Sequence, residues 1–198
     1  MHSLTASFVL GYHGCDEETA EKLLNRQPFI ESKNAYDWLG AGIYFWEANP
    51  DRALVWAEGL AAKKAKNGLI VAPAVVGAAI DLGFCLDLIT ANGITALKKS
   101  YEDLVLAFAD IGAVPPVNSG GNDLGARNLD CAVINYHHAT RRREGLSEFD
   151  SVRGVFTEGD PIYPGAGFRQ KTHIQICIKN HAMIKGVFRV PKGHFSNL

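Results

Sequence analysis

Residues 40–50 read GAGIYFWEANP and carry the signal that decides the fold class. The bulky run from Ile43 to Trp46 is typical of a short, buried strand. Asn49 then provides a helix N-cap, and Pro50 fits the first helical position, where no backbone amide hydrogen is needed. The stretch therefore predicts a strand that leads within a few residues into a helix.

The rest of the chain shows no regular alternation of strands and helices. Further strands are predicted at 7–12, 69–82, 151–156, 173–179 and 184–190, and further helices at about 16–24, 94–111 and 129–143. Gly14 is expected to end the first strand, and Gly68 the helix that begins at Asn49. Segments 114–128 and 158–171 are rich in glycine and proline and predict loops. Because strands lie near both ends with helices between them, the sequence predicts an α+β fold.

Composition and charge narrow the class of protein. The chain has 198 residues, 47% of them hydrophobic, which predicts one domain over residues 1–198 with a substantial core. A formal net charge of −1 gives no overall attraction to nucleic acid or to an anionic membrane. No apolar run reaches the roughly 20 residues of a membrane span, and the N-terminus lacks the features of a signal peptide. We therefore expect a cytoplasmic protein.

The cysteines and histidines do not show the spacing of a metal site. Cys15, Cys85, Cys131 and Cys177 lie far apart, and none belongs to a CxxC pair. The neighbouring residues His137 and His138 have no cysteine or carboxylate partner at ligand spacing. The sequence predicts buried free thiols and no metal.

Three motifs occur in an order that chance does not readily produce. Tyr12-His13-Gly14 closes the first strand, and the G-x-Y-F strand that contains Tyr44 follows about thirty residues later. The helix after that strand carries a second aromatic residue, Trp56. A late strand then opens with residues 173–176, reading HIQI, directly after a Gly/Pro-rich loop.

This order resembles the ADP-ribosyltransferases of the diphtheria-toxin and poly(ADP-ribose)-polymerase type, and within them the small bacterial toxin-like members. The resemblance extends from Tyr12 to about Val190. It implies a single-domain α+β fold with a split, mainly antiparallel sheet, flanking helices and NAD⁺ in a cleft. The implied activity is mono-ADP-ribosyl transfer from NAD⁺ to a macromolecule.

The resemblance also implies roles for individual residues. Tyr44 and Trp56 would stack on the nicotinamide ring, which is flat and cationic in NAD⁺, although each also fits a place in the hydrophobic core. The backbone of Gly14 would bond the nicotinamide amide, because a glycine lets the ring approach closely. His13 would bond a ribose hydroxyl, and Ser32 is a further candidate for contact with nicotinamide or its ribose.

The chain departs from the family where the catalytic glutamate is expected. Gln175 occupies that strand position, with His173 as the alternative register. A glutamine accepts a hydrogen bond but carries no charge to stabilise the oxocarbenium-like transition state. Glu158, which follows the strand 151–156, is the candidate carboxylate, and Arg153 on that strand is a candidate for binding the pyrophosphate. The catalytic candidates are thus His13, Tyr44, Gln175 and Glu158.

The sequence is compatible with either a protein or a nucleic acid, RNA or DNA, as the acceptor of ADP-ribose. The loops 114–128 and 158–171 are expected to select it. The basic run 141–143 favours phosphate contacts, or else it is a solvated helix end that complements the helix dipole. A toxin of this type would have an antitoxin partner. Two alternatives remain, namely an inactive module that binds NAD⁺ or ADP-ribose, and an NAD⁺ glycohydrolase in which water is the acceptor.

Overall fold

The computed structural model describes residues 8–63 and 70–195. Within these ranges the helices and strands follow in the order β1 (Phe8–Asp16), α1 (Glu17–Leu24), β2 (Ile43–Glu47), α2 (Pro50–Ala62), β3 (Pro73–Asp81), β4 (Cys85–Asp87), α3 (Ala91–Asp110), α4 (Asn128–Arg143), β5 (Ser151–Phe156), β6 (His173–Ile178) and β7 (Ile184–Arg189). This mixture of sheet and flanking helices agrees with the predicted α+β class. In the described part of the chain, no helix is long and apolar enough to cross a membrane.

The fold divides into two compact units. The first contains the described parts of Met1–Ile30, Tyr44–Leu82 and His181–Leu198. The second contains Glu31–Ile43 and Gly83–Asn180. The motif residues therefore belong to different units. His13, Gly14 and Tyr44 lie in the first unit, and strand β6 lies in the second.

Four antiparallel strands in the order β2-β1-β3-β7 form the sheet of the first unit. Helix α2 packs on one face of this sheet, where the buried core includes Tyr12, Trp46, Ala53 and Val75. The helix begins as predicted, because the Asn49 side chain accepts a hydrogen bond from the Arg52 amide and Pro50 follows the cap.

Helix α1 also begins where the sequence predicts. The Asp16 carboxylate accepts a hydrogen bond from the Glu18 amide, which satisfies one of the free donors of the first turn. The same carboxylate accepts from the amides of Val71 and Ala72 at 2.7 and 3.0 Å. This single side chain therefore caps the helix and anchors the segment that leads into β3.

The prediction that Gly14 ends the first strand is wrong. Strand β1 continues to Asp16, because each of its residues pairs with β3 as far as Asp16 opposite Pro73. A long partner strand maintains the ladder through a glycine that local propensity alone would treat as a break. The predicted strand start at residue 7 and the predicted helix end at Gly68 lie outside the described residues.

The second unit contains β4, β5 and β6. Strand β4 runs parallel to β5, and β5 pairs antiparallel with β6. The boundaries of β5 match the prediction, whereas β4 was not predicted, since three residues carry too little periodicity to identify a strand. Helices α3 and α4 pack together, and a hydrogen bond of 2.5 Å joins Ser100 Oγ and His137 Nδ1.

Candidate active site

The imidazole of His13 is fixed by its neighbours in the first unit. Its Nδ1 lies 2.8 Å from the carbonyl oxygen of Tyr44, and its ring packs against Phe29 and Phe45. Burial lowers the pKa of His13, so the ring is neutral at pH 7. Because Nδ1 donates to the Tyr44 carbonyl, the neutral ring presents Nε2 as a hydrogen-bond acceptor. Such an acceptor is suited to a hydroxyl group.

Gly14 lies at a close approach between β1 and α2. A β-carbon at this position would be only 2.4 Å from the Ala53 carbonyl oxygen and 3.2 Å from Cε3 of Trp56. Only glycine fits such a contact without displacing α2. Packing alone therefore explains this glycine, whether or not its backbone also contacts a ligand.

Tyr44 and Trp56 belong to the side of the sheet that α2 covers. Successive strand residues point to opposite faces, so half-buried Tyr44 shares a face with Trp46, whose ring is 5.4 Å from that of Trp56. Trp56 keeps 38% of its surface exposed, which leaves part of its ring open to a ligand. The His13 ring lies with Phe45 on the opposite face, and its Nδ1 contacts the Tyr44 carbonyl.

The candidate carboxylate Glu158 lies beside a buried histidine in the second unit. Glu158 Oε2 is 3.5 Å from Nδ1 of His173, and their side chains are 14% and 0% exposed. The His173 Nδ1 also lies 2.6 Å from the carbonyl of Lys171 and donates to it. The ring is stacked against Trp38. The carboxylate and imidazole thus form a sheltered pair at the adjoining ends of β5 and β6.

Gln175 follows this pair on the same face of β6. It is 9% exposed and lies directly opposite Gly154 of β5, which has no side chain to cover it. Among the described residues, none hydrogen-bonds the Gln175 amide. A buried amide normally finds a partner, so this side chain is free to bond one that binds there.

The Gly40-Ala41-Gly42 turn before β2 belongs to the second unit and is held there by side-chain contacts. The Lys179 ammonium donates to the carbonyls of Leu39 and Ala41, and the Asn135 side chain accepts from the Ala41 amide at 3.2 Å. A β-carbon on Gly42 would lie 2.5 Å from the Cys177 sulfur. These contacts explain why small residues precede the aromatic strand.

The remaining NAD⁺-binding candidates already have protein partners. Arg153 lies opposite Asp87 in the β4–β5 pair, and its guanidinium is 3.2 Å from that carboxylate. Ser32 forms an isolated bridge with Gly42 and accepts a hydrogen bond from the Asn34 amide group at 2.9 Å. Both residues have structural roles that a ligand contact would have to accommodate.

The structure adds residues that sequence reasoning missed. The Arg127 guanidinium lies 4.4 Å from the ring centroid of Trp38 and 5.0 Å from that of Phe156. It also contacts the Asp130 carboxylate at 3.3 Å. The rings of Trp38 and Phe156 lie beside His173, and the Arg127 guanidinium lies over both of these rings. No local signal marks them, because the contacts join distant parts of the chain.

The basic run at the end of α4 is mostly engaged in local contacts. Arg142 forms a two-point contact with the Glu148 carboxylate, at 2.8 and 2.6 Å. Arg141 donates to the Ser147 carbonyl and lies over the ring of Phe149. This geometry is that of a helix end stabilised by nearby groups. Among the described residues, no cluster of three or more histidine, cysteine, aspartate or glutamate side chains could hold a metal ion.

Comparison with known proteins finds similarity without an assigned activity. The chain is 26% identical over 189 residues to an uncharacterized protein of Methanocaldococcus jannaschii, an alignment that covers 88% of this chain and 83% of the other. No family model matches the chain. No solved structure matches it either.

Proposed function

We propose that this protein is a mono-ADP-ribosyltransferase that uses NAD⁺ to modify a macromolecule. The observation that carries the proposal is the hydrogen bond from His13 Nδ1 to the Tyr44 carbonyl. It joins the two motifs on which the resemblance depends and leaves the neutral Nε2 of His13 as a hydrogen-bond acceptor, on the face of the sheet opposite to Tyr44 and Trp56. As a toxin-like enzyme of the cytoplasm, the protein would have an antitoxin partner.

Nicotinamide binding is assigned to the α2 side of the first unit. Tyr44 and the partly exposed Trp56 offer aromatic surfaces to the cationic ring, which prefers an electron-rich face. Gly14 is buried where β1 packs closely against α2, beside Ala53 and Trp56. The candidate groups for chemistry are the Glu158 carboxylate and the Gln175 amide, which belong to the second unit.

The transfer step breaks one glycosidic bond and forms another. The bond between the anomeric carbon of the ribose and the nicotinamide nitrogen breaks, and its electron pair leaves with neutral nicotinamide. The acceptor nucleophile donates a pair to the same carbon and loses its proton to the Glu158 carboxylate. The negative charge of Glu158 also favours the positive charge that develops on the sugar, while Gln175 accepts a hydrogen bond from a ribose hydroxyl.

The test uses NAD⁺ labelled on its adenylate part. The protein is incubated separately with cellular protein, with RNA, and with single- or double-stranded DNA, and both nicotinamide release and label transfer are followed. We expect label on one of these pools, lost in Tyr44→Ala. Tyr101→Ala, which removes a 43% exposed tyrosine from α3, is the matched control and should retain transfer. Unchanged NAD⁺ affinity in Tyr44→Ala would exclude the proposed nicotinamide site.

One observation favours a second candidate function. Gln175 stands where the family has its catalytic glutamate, and an uncharged amide suits an NAD⁺- or ADP-ribose-binding module without transferase activity. NAD⁺ binding with no nicotinamide release under any condition would support this module. Release without label transfer would instead indicate an NAD⁺ glycohydrolase.

A further inference from the structure

Two loops of the second unit, one of which contains Glu158, line one pocket. Asn122 and Asp123 come from the loop before α4, and Asp160, Arg169, Gln170 and Lys171 come from the loop between β5 and β6. The pocket has a volume of about 350 Å³, and Gly159, the neighbour of Glu158, forms part of its wall. Both loops therefore contribute to a single surface that includes Gly159, the residue after the candidate carboxylate.

Hydrogen bonds hold this pocket in shape. The Asp123 carboxylate accepts from the Gly159 amide at 3.1 Å, and Arg169 donates to the Gly159 carbonyl at 2.8 Å. The Asp123 carbonyl in turn accepts from Arg127 at 3.4 Å. Gly159, the residue next to Glu158, is thus held by hydrogen bonds from both loops.

The lining indicates which kind of group fits. Two carboxylates are balanced by two cations, which favours a neutral occupant over an arginine, aspartate or glutamate side chain. The amides of Asn122 and Gln170 add donors and acceptors, as required for a group that presents several of each. The volume exceeds what a small neutral side chain such as serine or asparagine would fill. A nucleobase meets all three conditions.

The loop beyond the pocket presents aromatic side chains to solvent. Tyr163 and Phe168 are 56% and 68% exposed, yet the loop is ordered by hydrogen bonds from Ile162 to Phe168 and from Ala166 to Tyr163. Exposed rings on an ordered segment are a stacking surface for unpaired bases, which bind such surfaces in single-stranded nucleic acids.

We infer that the acceptor is a base of single-stranded nucleic acid, seated in this pocket and flanked by bases stacked on Tyr163 and Phe168. The inference rests on the proposed transferase function. A base in a duplex is inaccessible, so a single strand or an unpaired base is required. In the step, a nitrogen of the base bonds the anomeric carbon as the nicotinamide nitrogen leaves with its electron pair. The proton of that base nitrogen passes to Glu158.

The test separates acceptor binding from NAD⁺ chemistry. Binding of mixed-sequence single-stranded oligonucleotides, of DNA and of RNA, is measured by fluorescence anisotropy without NAD⁺. Label transfer from adenylate-labelled NAD⁺ to the same oligonucleotides, to their duplexes and to cellular protein is then compared. The double variant Asn122→Ala, Gln170→Ala removes two exposed amides from the pocket, and Gln27→Ala removes an exposed amide from the first unit as the control.

We expect single strands to bind and to be labelled, with transfer reduced about tenfold in the double variant and unchanged in Gln27→Ala. NAD⁺ affinity should be the same in all three proteins. Label on cellular protein but not on oligonucleotides would overturn the inference and leave the proposed function in place. Unchanged transfer to oligonucleotides in the double variant would have the same consequence. Failure of the protein to bind NAD⁺ would refute the proposed function, whereas the anisotropy measurement would still decide whether single strands bind.

Discussion

His138 is buried in the second unit without a partner for its charge. It is 8% exposed, its ring meets Phe149 edge-on, and among the described residues none hydrogen-bonds its Nε2. Burial, followed by the nearby positive charges of Lys179 and His137, lowers the pKa of His138 to about 4. The unfolded chain should titrate this group near the ordinary value of about 6.5.

The sign of the pH effect follows from this difference. Between pH 6.5 and 4 the unfolded chain binds a proton at His138 that the folded protein does not, so acidification favours unfolding. For a folded pKa of about 4, linkage gives a loss of roughly 2–3 kcal/mol in the free energy of unfolding at pH 4 relative to pH 7. The stability is fully present above about pH 7 and is lost as the pH falls toward 4.

Urea unfolding at pH 7 and at pH 4 measures this contribution when the wild type is compared with His138→Leu. Leucine is close to histidine in size, removes the titration, and loses no hydrogen bond at Nε2. We expect the variant to lose roughly 2 kcal/mol less stability on acidification than the wild type. His194→Leu, which changes an exposed histidine, is the control and should behave as the wild type. An equal loss in His138→Leu and in the wild type would refute the argument from burial.

Three further predictions follow from contacts in the two units. Gly14→Ala places a β-carbon 2.4 Å from the Ala53 carbonyl and should lower thermal stability by about 2–3 kcal/mol, whereas Gly59→Ala on exposed α2 surface, with nothing within 4 Å, should not destabilise. Glu158→Gln should lower turnover far more than NAD⁺ affinity, because the charge acts mainly in the transition state; kinetics with wild-type turnover would move that role to Gln175 or His173. Lys179→Met removes the donor to the carbonyls of Leu39 and Ala41 and should lower the free energy of unfolding, measured with a chemical denaturant, by about 1–3 kcal/mol. The control Lys33→Met changes an exposed lysine and should not lower it.

Features with local causes were predictable from the sequence. The Asn49 and Asp16 caps are visible because a side chain there bonds amides two or three residues away. Strand β5 and the start of β2 were found where bulky residues are followed by turn residues. Strand β4 was missed because it has no such local cause: its three residues form a strand by pairing with β5.

The same distinction between local and long-range causes applies to the residues of the candidate site. Motif order gave His13, Tyr44 and Gln175 as candidates, but it did not indicate that the His13 ring bonds the Tyr44 carbonyl or that Gln175 lies opposite a glycine. Nor did it indicate that the pyrophosphate candidate Arg153 is paired with Asp87. Each of these contacts depends on strand register, which brings together residues far apart in the chain.

The sequence by itself determined the α+β class, the caps and the identities of the motif residues, because short-range side-chain chemistry and periodicity control them. Only the tertiary structure decided which groups are neutral, paired or open. Burial made His13 neutral, packing required glycine at position 14, and a loop carboxylate, Asp123, fixed the residue beside Glu158. Desolvation and close packing are properties of the assembled core, so no single stretch of sequence contains them.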